Sequence, residues 1–152
     1  MFFNFLRGGA KAKDMLELGG QFLDAALSAK ERGHAGPAVD NLFSACELAS
    51  KAELIIHRNP AASSKRHGPV ASEINRWAGL GNIDAAFVDL FNRLSQQRQN
   101  ARYGDKEHCP PIPDQDSFDL VRAMIERGLG QVGKATDRLL KSIGDNRLAQ
   151  EA

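Results

Sequence analysis

The chain has 152 residues, of which 42% are apolar and 26% charged, the profile of one globular domain with enough material to bury a core unaided. Lys plus Arg (20) almost balances Asp plus Glu (19), so no overall field steers the chain toward nucleic acid or an anionic membrane, and any such contact needs a local patch. Two cysteines, Cys46 and Cys109, exclude a disulfide framework, and their spacing offers no metal-ligand set, so neither metal nor cofactor is expected.

The opening MFFNFLRGGAKAK places its aromatics ahead of its positive charges, the reverse of a secretory signal. No apolar run approaches the ~20 residues that span a bilayer. The expectation is a cytoplasmic chain with no membrane contact. Residues 1–9 form an apolar N-terminal segment whose Phe2, Phe3, Phe5 and Leu6 need cover, on the bundle or on a partner. A helical bundle then occupies residues 10–143, and a polar tail that frays occupies 144–152.

From Lys11 to Arg32, Met15, Leu18, Phe22, Ala25, Ala26 and Ala29 recur at three- and four-residue steps and predict a helix. Gly19-Gly20 weakens its middle by roughly 1 kcal/mol per glycine relative to alanine, which a close helix–helix approach would explain. Arg32-Gly33-His34 is a stop signal. Pro37 suits the first turn of a second helix running to about His57. Val39, Leu42, Phe43, Cys46, Ala49 and Ile56 share its apolar face, and Asp40, Glu47 and Lys51 lie on another, read as solvated. Asn59-Pro60 ends it.

A third helix starts near Pro69 and carries Val70, Ile74 and Trp77 until Gly79 and Gly81 stop it. A fourth opens at about Ile83, with Asn82 or Asp84 available as cap, on the apolar series Ile83, Ala86, Phe87, Leu90, Phe91 and Leu94. That series, continued, lands on Arg98 and then on Ala101 and Arg102, which puts a guanidinium on a core-directed face. Prolines 110, 111 and 113 make a loop, and Asp114 or Asp116 can cap a fifth helix carrying Phe118, Val121, Ile125, Leu129, Val132, Leu139 and Leu140. Nothing reads as a strand. The fold class is all-α, an up-and-down bundle of about five helices.

Gly128-Leu-Gly130-Gln-Val-Gly133-Lys134 spells a dinucleotide-binding pattern but sits in a helical run without the strand that chemistry requires. Its glycines read as close helix contacts or a kink. His34 and His57 read as helix-end residues, where an imidazole meets the helix dipole favourably. The cluster Arg98, Asn100, Arg102 and Tyr103 is the candidate site. A charge on a core-directed face needs a partner, and two remain open: a carboxylate within the bundle such as Glu47 or Glu73, or a phosphate met by guanidinium forks with Tyr103 as a stacking face.

The span Ala38 to Asp105 resembles a HEPN domain, the compact bacterial and archaeal helical type. The likeness rests on the alanine-rich AVDNLFSACELASKAELII, on the helix start at Lys65-x-His67-Gly68, on the turn Gly79-Leu-Gly81 and on the helix ending Arg98-Gln-Asn-Ala-Arg-Tyr103. It implies a two-fold homodimer whose polar helix ends meet in a shared cleft. Catalytic members are metal-independent ribonucleases with an arginine, four to six residues, and a histidine. Here Arg98 matches the arginine, but Tyr103 stands where the histidine would be, and tyrosine with its pKa near ~10 is a poor base at neutral pH. The spacing Arg102 to His108 also fits the ribonuclease pattern. Non-catalytic members often end this helix in Ala-Asp-Tyr, where this chain has Ala101-Arg102-Tyr103.

The resemblance therefore implies a binding module for RNA, a nucleotide or a partner protein of the nucleotidyltransferase type, in a toxin–antitoxin or defence setting. Arg98, Asn100, Arg102, Tyr103, His67 and Lys65 are the candidate ligand-binding residues. The alternatives are a ribonuclease using Arg98, Arg102 and His108, and a bundle that binds only protein.

Overall fold

In a computed structural model the backbone of residues 2–63 and 65–151 is described, with side chains for all of these except 2–7, 139 and 145–151. Five α-helices make up the fold: α1 (Phe2–Glu31), α2 (Ala35–Ile56), α3 (His67–Gly79), α4 (Ala85–Tyr103) and α5 (Gln115–Glu151), with a short 3₁₀ turn at Pro60–Ser63. There is no strand among the described residues, and the architecture is the expected all-α bundle. No helix is long and apolar enough to cross a membrane.

The middle of the bundle is α2. It packs against α1, α4 and α5, and the connection after His57 returns the chain so that α3 begins beside Glu47. Small residues make this possible: Ala38, Ala45, Cys46, Ala49 and Ala52 are fully buried along α2 and let neighbouring backbones approach. Phe43, Phe87, Phe91 and Phe118 fill the space between α2, α4 and α5, with the Phe43 and Phe91 rings 5.5 Å apart. Burial drives the Cys46 thiol far above its ordinary pKa, so it is an inert core residue, as its place on the apolar face implies.

Several local expectations hold and others shift. Asp84 caps α4 by accepting from the Ala86 amide at 2.9 Å, and Asp114 caps α5 by accepting from the Ser117 amide at 2.9 Å and hydroxyl at 2.7 Å. The end of α2 is set by Arg58, whose left-handed backbone (φ 55°) lets the Asn59 amide reach back to the Leu54 carbonyl at 2.8 Å. Helix α1 begins at Phe2, well before Lys11, and α5 continues through the polar tail to Glu151. A polar sequence with good helix formers extends a helix already nucleated by packing upstream, which is why the expected fraying at Gly144 does not mark its end. The side chains of Phe2, Phe3, Phe5, Leu6 and Leu139, on which the need for cover and part of the α5 face rested, lie outside the described residues.

The glycines divide by role. Gly19 is buried where α1 meets α2 and α5, with Leu48 and Ile125 both at 3.6 Å from where a Cβ would stand, whereas Gly20 has nothing within 4 Å. In the Gly128–Gly133 pattern only Gly128 is a close contact, against the Leu16 side chain at 2.8 Å, and all three glycines lie inside α5. Between two helices the closest backbone approach at a glycine is at Gly36: a Cβ there would meet the Ala101 carbonyl oxygen at 2.5 Å. The first turn of α2 thus rests directly on the last turn of α4.

Among the described residues one charged side chain is buried inside the bundle. Glu53 is 4% exposed on α2. Burial raises its pKa, and Arg127 and His57 pull it partly back.

Two outcomes are expected from these contacts. Gly36→Ala pushes backbone against backbone and should cost about 1–3 kcal/mol, read as a lowered thermal midpoint. For Glu53 the folded state holds the proton more tightly than the unfolded one, so the group makes stability fall as pH rises from the ordinary glutamate range toward its raised value. Glu53→Gln should flatten that slope in urea titrations run at a series of pH values; an unchanged slope would show that the carboxylate is not perturbed.

Candidate functional site

The C-terminal turns of α4 meet the first half of α2 and the start of α3, and the side chains there form a continuous polar chain. Arg98 Nε donates to Asp40 Oδ1 at 3.2 Å, and Arg102 Nε faces Asp40 Oδ2 at 3.5 Å, so two guanidiniums share one carboxylate. The Arg98 guanidinium also lies 5.1 Å above the Phe43 ring, a cation–π contact that fixes its plane. Its Nη1 is 3.1 Å from His67 Nε2, and His67 Nδ1 is hydrogen-bonded to Glu47, which also faces Lys51 at 3.6 Å.

This network assigns the imidazole tautomer. A guanidinium only donates, so His67 Nε2 accepts from Arg98 and the single ring hydrogen sits on Nδ1, directed at Glu47. The Phe43 ring, 5.9 Å away in an edge-to-face arrangement, holds the imidazole from the side. The charges in the chain are Arg98, Arg102 and Lys51 against Asp40 and Glu47, an excess of one positive charge.

The cluster is accessible. The Arg98 side chain is 28% exposed and that of Arg102 42%, and Tyr103 is 73% exposed with the Arg102 guanidinium 5.7 Å from its ring. Two hollows adjoin here and both are bordered by Arg102 and Tyr103. One, of about 210 Å³, is lined by Phe43, His67, Ser95 and Arg98. The other, of about 420 Å³, is lined by Gly36, Pro37, Asp40 and Asn41. The Gly36 contact with Ala101 forms part of its floor.

Of the residues singled out from sequence, Arg98, Arg102, Tyr103 and His67 come together at one place. Asn100 is exposed and Lys65 stands exposed ahead of α3, and neither lines a hollow. His108 also lies outside both: its ring is bonded to Asp105 at 2.6 Å within the proline loop, which holds the Asp105 carboxyl below its usual range. Asp105, Glu107 and His108 are the one group of metal-type ligands among the described residues, all exposed. Asp105 is already engaged by the His108 ring and by the amides of His108 and Glu107, so the arrangement is a self-capped turn.

The carboxylate that meets Arg98 is Asp40, not Glu47 or Glu73. Glu73 is occupied by Arg76 and Asn59, and Glu47 reaches Arg98 only through His67. Nor is the face of α2 that carries Asp40, Glu47 and Lys51 solvated, since the Glu47 and Lys51 side chains are only 15% and 19% exposed. His67 at the start of α3 covers Glu47, and Arg98 and Arg102 of α4 cover Asp40. Residues seven and eleven positions along one helix share a side, so the row Asp40, Glu47, Lys51 was a visible signal for a second polar surface opposite Arg98.

A double-mutant cycle between Arg98→Met and Asp40→Asn should give a coupling of about 1 kcal/mol, the value for a partly exposed pair. Coupling near zero would mean that Asp40 and Arg98 act independently. Comparison with protein-family models, with curated proteins and with solved structures finds no match for this chain.

Proposed function

We propose that this protein is a non-catalytic binding module, acting as a two-fold homodimer, that takes the phosphodiester backbone of RNA at Arg98 and Arg102. The observation that carries the reading is the pair of guanidiniums converging on a single carboxylate beside an open hollow. Asp40 presents two oxygens to two arginines, as a phosphate would, and charge-assisted bonds of this type transfer readily from one anion to another. The unmatched positive charge favours the exchange. Tyr103, exposed at the rim, offers a ring for a base next to the bound phosphate. The likeness of Ala38–Asp105 to HEPN domains supports both the ligand class and the dimer, and the all-helical bundle is compatible with it. A nucleotidyltransferase-type partner in a toxin–antitoxin or defence setting belongs to the same reading.

A second reading has its own observation. His67 is held by Glu47 through Nδ1 and its Nε2 accepts from Arg98, so a phosphate that took Arg98 would free this nitrogen as an oriented general base beside a group that stabilises phosphorane charge. A metal-independent ribonuclease at this site would use His67, with neither Tyr103 nor His108 in that role.

The test is fluorescence anisotropy with labelled single-stranded RNA at several salt concentrations, with the RNA run on a gel afterwards. Affinity should fall with salt with a slope of roughly 0.7 per phosphate neutralised. Arg98→Ala and Arg102→Ala should each weaken binding by about tenfold, a loss of ~1.4 kcal/mol. Asp40→Asn should tighten it, and Lys13→Ala, on a distant exposed face, should leave it unchanged. Light scattering of the same samples should give the mass of two chains. Salt-independent binding, or tighter binding lost in Lys13→Ala but kept in Arg98→Ala, overturns the proposal. RNA cut by the wild type and intact with His67→Ala establishes the ribonuclease in its place.

A further inference from the structure

The far end of α2 carries a second polar hollow, of about 370 Å³, lined by His57, Trp77, Asn82, Arg127 and Gln131. Its residues come from the end of α2, from α3, from the turn before α4 and from α5. At its base is the buried Glu53. With its amide nitrogen inward, Gln131 donates to both Glu53 oxygens, at 2.7 and 3.1 Å, and His57 Nε2 stands 3.5 Å from the same carboxylate. The imidazole of His57 and the indole of Trp77 meet at 5.4 Å, nearly perpendicular at 87°, so two aromatic walls form a corner.

The chemistry of this lining narrows the ligand. Glu53 is covered by Gln131 behind the lining, and Arg127 is near enough to act on it electrostatically, so the two charges offset one another and the hollow offers no net charge to an ionic ligand. A neutral ligand suits that balance. Besides the His57 imidazole, the remaining polar groups are the carboxamides of Asn82 and Gln131, which pair with edges that carry donors and acceptors side by side, and the remaining surface is aromatic. The volume is at the low end of small-molecule sites, enough for one ring system with a sugar. We propose that this hollow binds a nucleobase, as a free nucleoside, stacked on Trp77.

Glu53 then has a positioning role. By engaging the Gln131 nitrogen, it leaves the Gln131 carbonyl oxygen as an acceptor on the side of the hollow. An acceptor fixed in this way selects a base edge with an amino group, as in adenine and cytosine, over the carbonyl edge of uracil. The site is at the opposite end of α2 from Arg98 and does not depend on the RNA reading of that cluster.

Trp77 is the only tryptophan in the chain, so its fluorescence reports on this hollow alone. Titration of the full chain with adenosine, cytidine and uridine should give saturable quenching by adenosine with a Kd below ~1 mM and uridine weaker by about tenfold. Asn82→Ala, in an exposed turn where folding is not at stake, should weaken adenosine by about tenfold, and Glu53→Gln should erase the preference over uridine. Arg98→Ala should leave the titration unchanged, which keeps this result separate from that of the RNA assay. Absence of saturation with all three nucleosides, or saturation untouched by Asn82→Ala, overturns the proposal.

Discussion

The arrangement of this protein follows from one constraint: α2 is surrounded. Three helices lie along it and the start of α3 closes much of what remains. A helix in that position keeps only a narrow, half-covered stripe toward solvent, along Pro37, Asp40, Ser44, Glu47 and Lys51, so a charged group on it gains from a partner that offsets its partial dehydration. Asp40 finds Arg98 and Arg102, Glu47 finds His67 and Lys51, and Glu53 finds His57 and Gln131. No buried side-chain polar atom among the described residues lacks a partner. Two polar clusters of the molecule are therefore the places where carboxylates of the central helix are answered, from α4 and α3 at Asp40 and Glu47 and from α5 and the helix's own end at Glu53.

The same constraint explains the composition of α2. A helix that is approached from several directions needs small residues where backbones come nearest, and it has Gly36, Ala38, Ala45, Cys46, Ala49 and Ala52 there. Large side chains come mainly from the neighbours, with Phe87 and Phe91 from α4 and Phe118 from α5. This division fixes the distance between α2 and α4 to within the tolerance of a single Cβ at Gly36, and that distance in turn sets where Arg102 stands relative to Asp40. Packing thus determines the spacing of the charges.

Much of this was legible in the sequence because helical periodicity is local. The five helices, the Asp84 and Asp114 caps and the core placement of Cys46 all follow from spacings of three and four residues. So does the most useful anomaly, the appearance of Arg98 where the α4 apolar series predicts a core residue. What periodicity alone does not supply is which helix faces which. The polar row Asp40, Glu47, Lys51 read as a solvent face because a polar face usually is one, and only the tertiary positions of α3 and α4 cover it in part. The carboxylate partner of Arg98 stayed open for the same reason, with Glu47 and Glu73 offered as examples, since no carboxylate can be singled out until the register of α2 against α4 is known. The polar hollow at Trp77 gathers residues from four segments, and no single stretch of sequence announces it.

The energetics of the Arg98 cluster bear on why it exists. An ion pair whose members are each about a quarter exposed contributes on the order of 1 kcal/mol or less, and partial dehydration of both groups offsets part of that. Apolar residues of similar size at Asp40 and Arg98 would stabilise this junction at least as well. A second arginine on the same carboxylate adds little to stability, because Asp40 is then shared and one positive charge remains unmatched. For a phosphate the balance differs. On the reading proposed above, a phosphate would take both arginines and meet the unmatched charge while Asp40 turns to solvent, and Tyr103 would add stacking worth about 1–3 kcal/mol per base. On that reading these gains arise only with ligand bound, so stability alone accounts poorly for a second arginine on one carboxylate, and the proposed binding role accounts for it better.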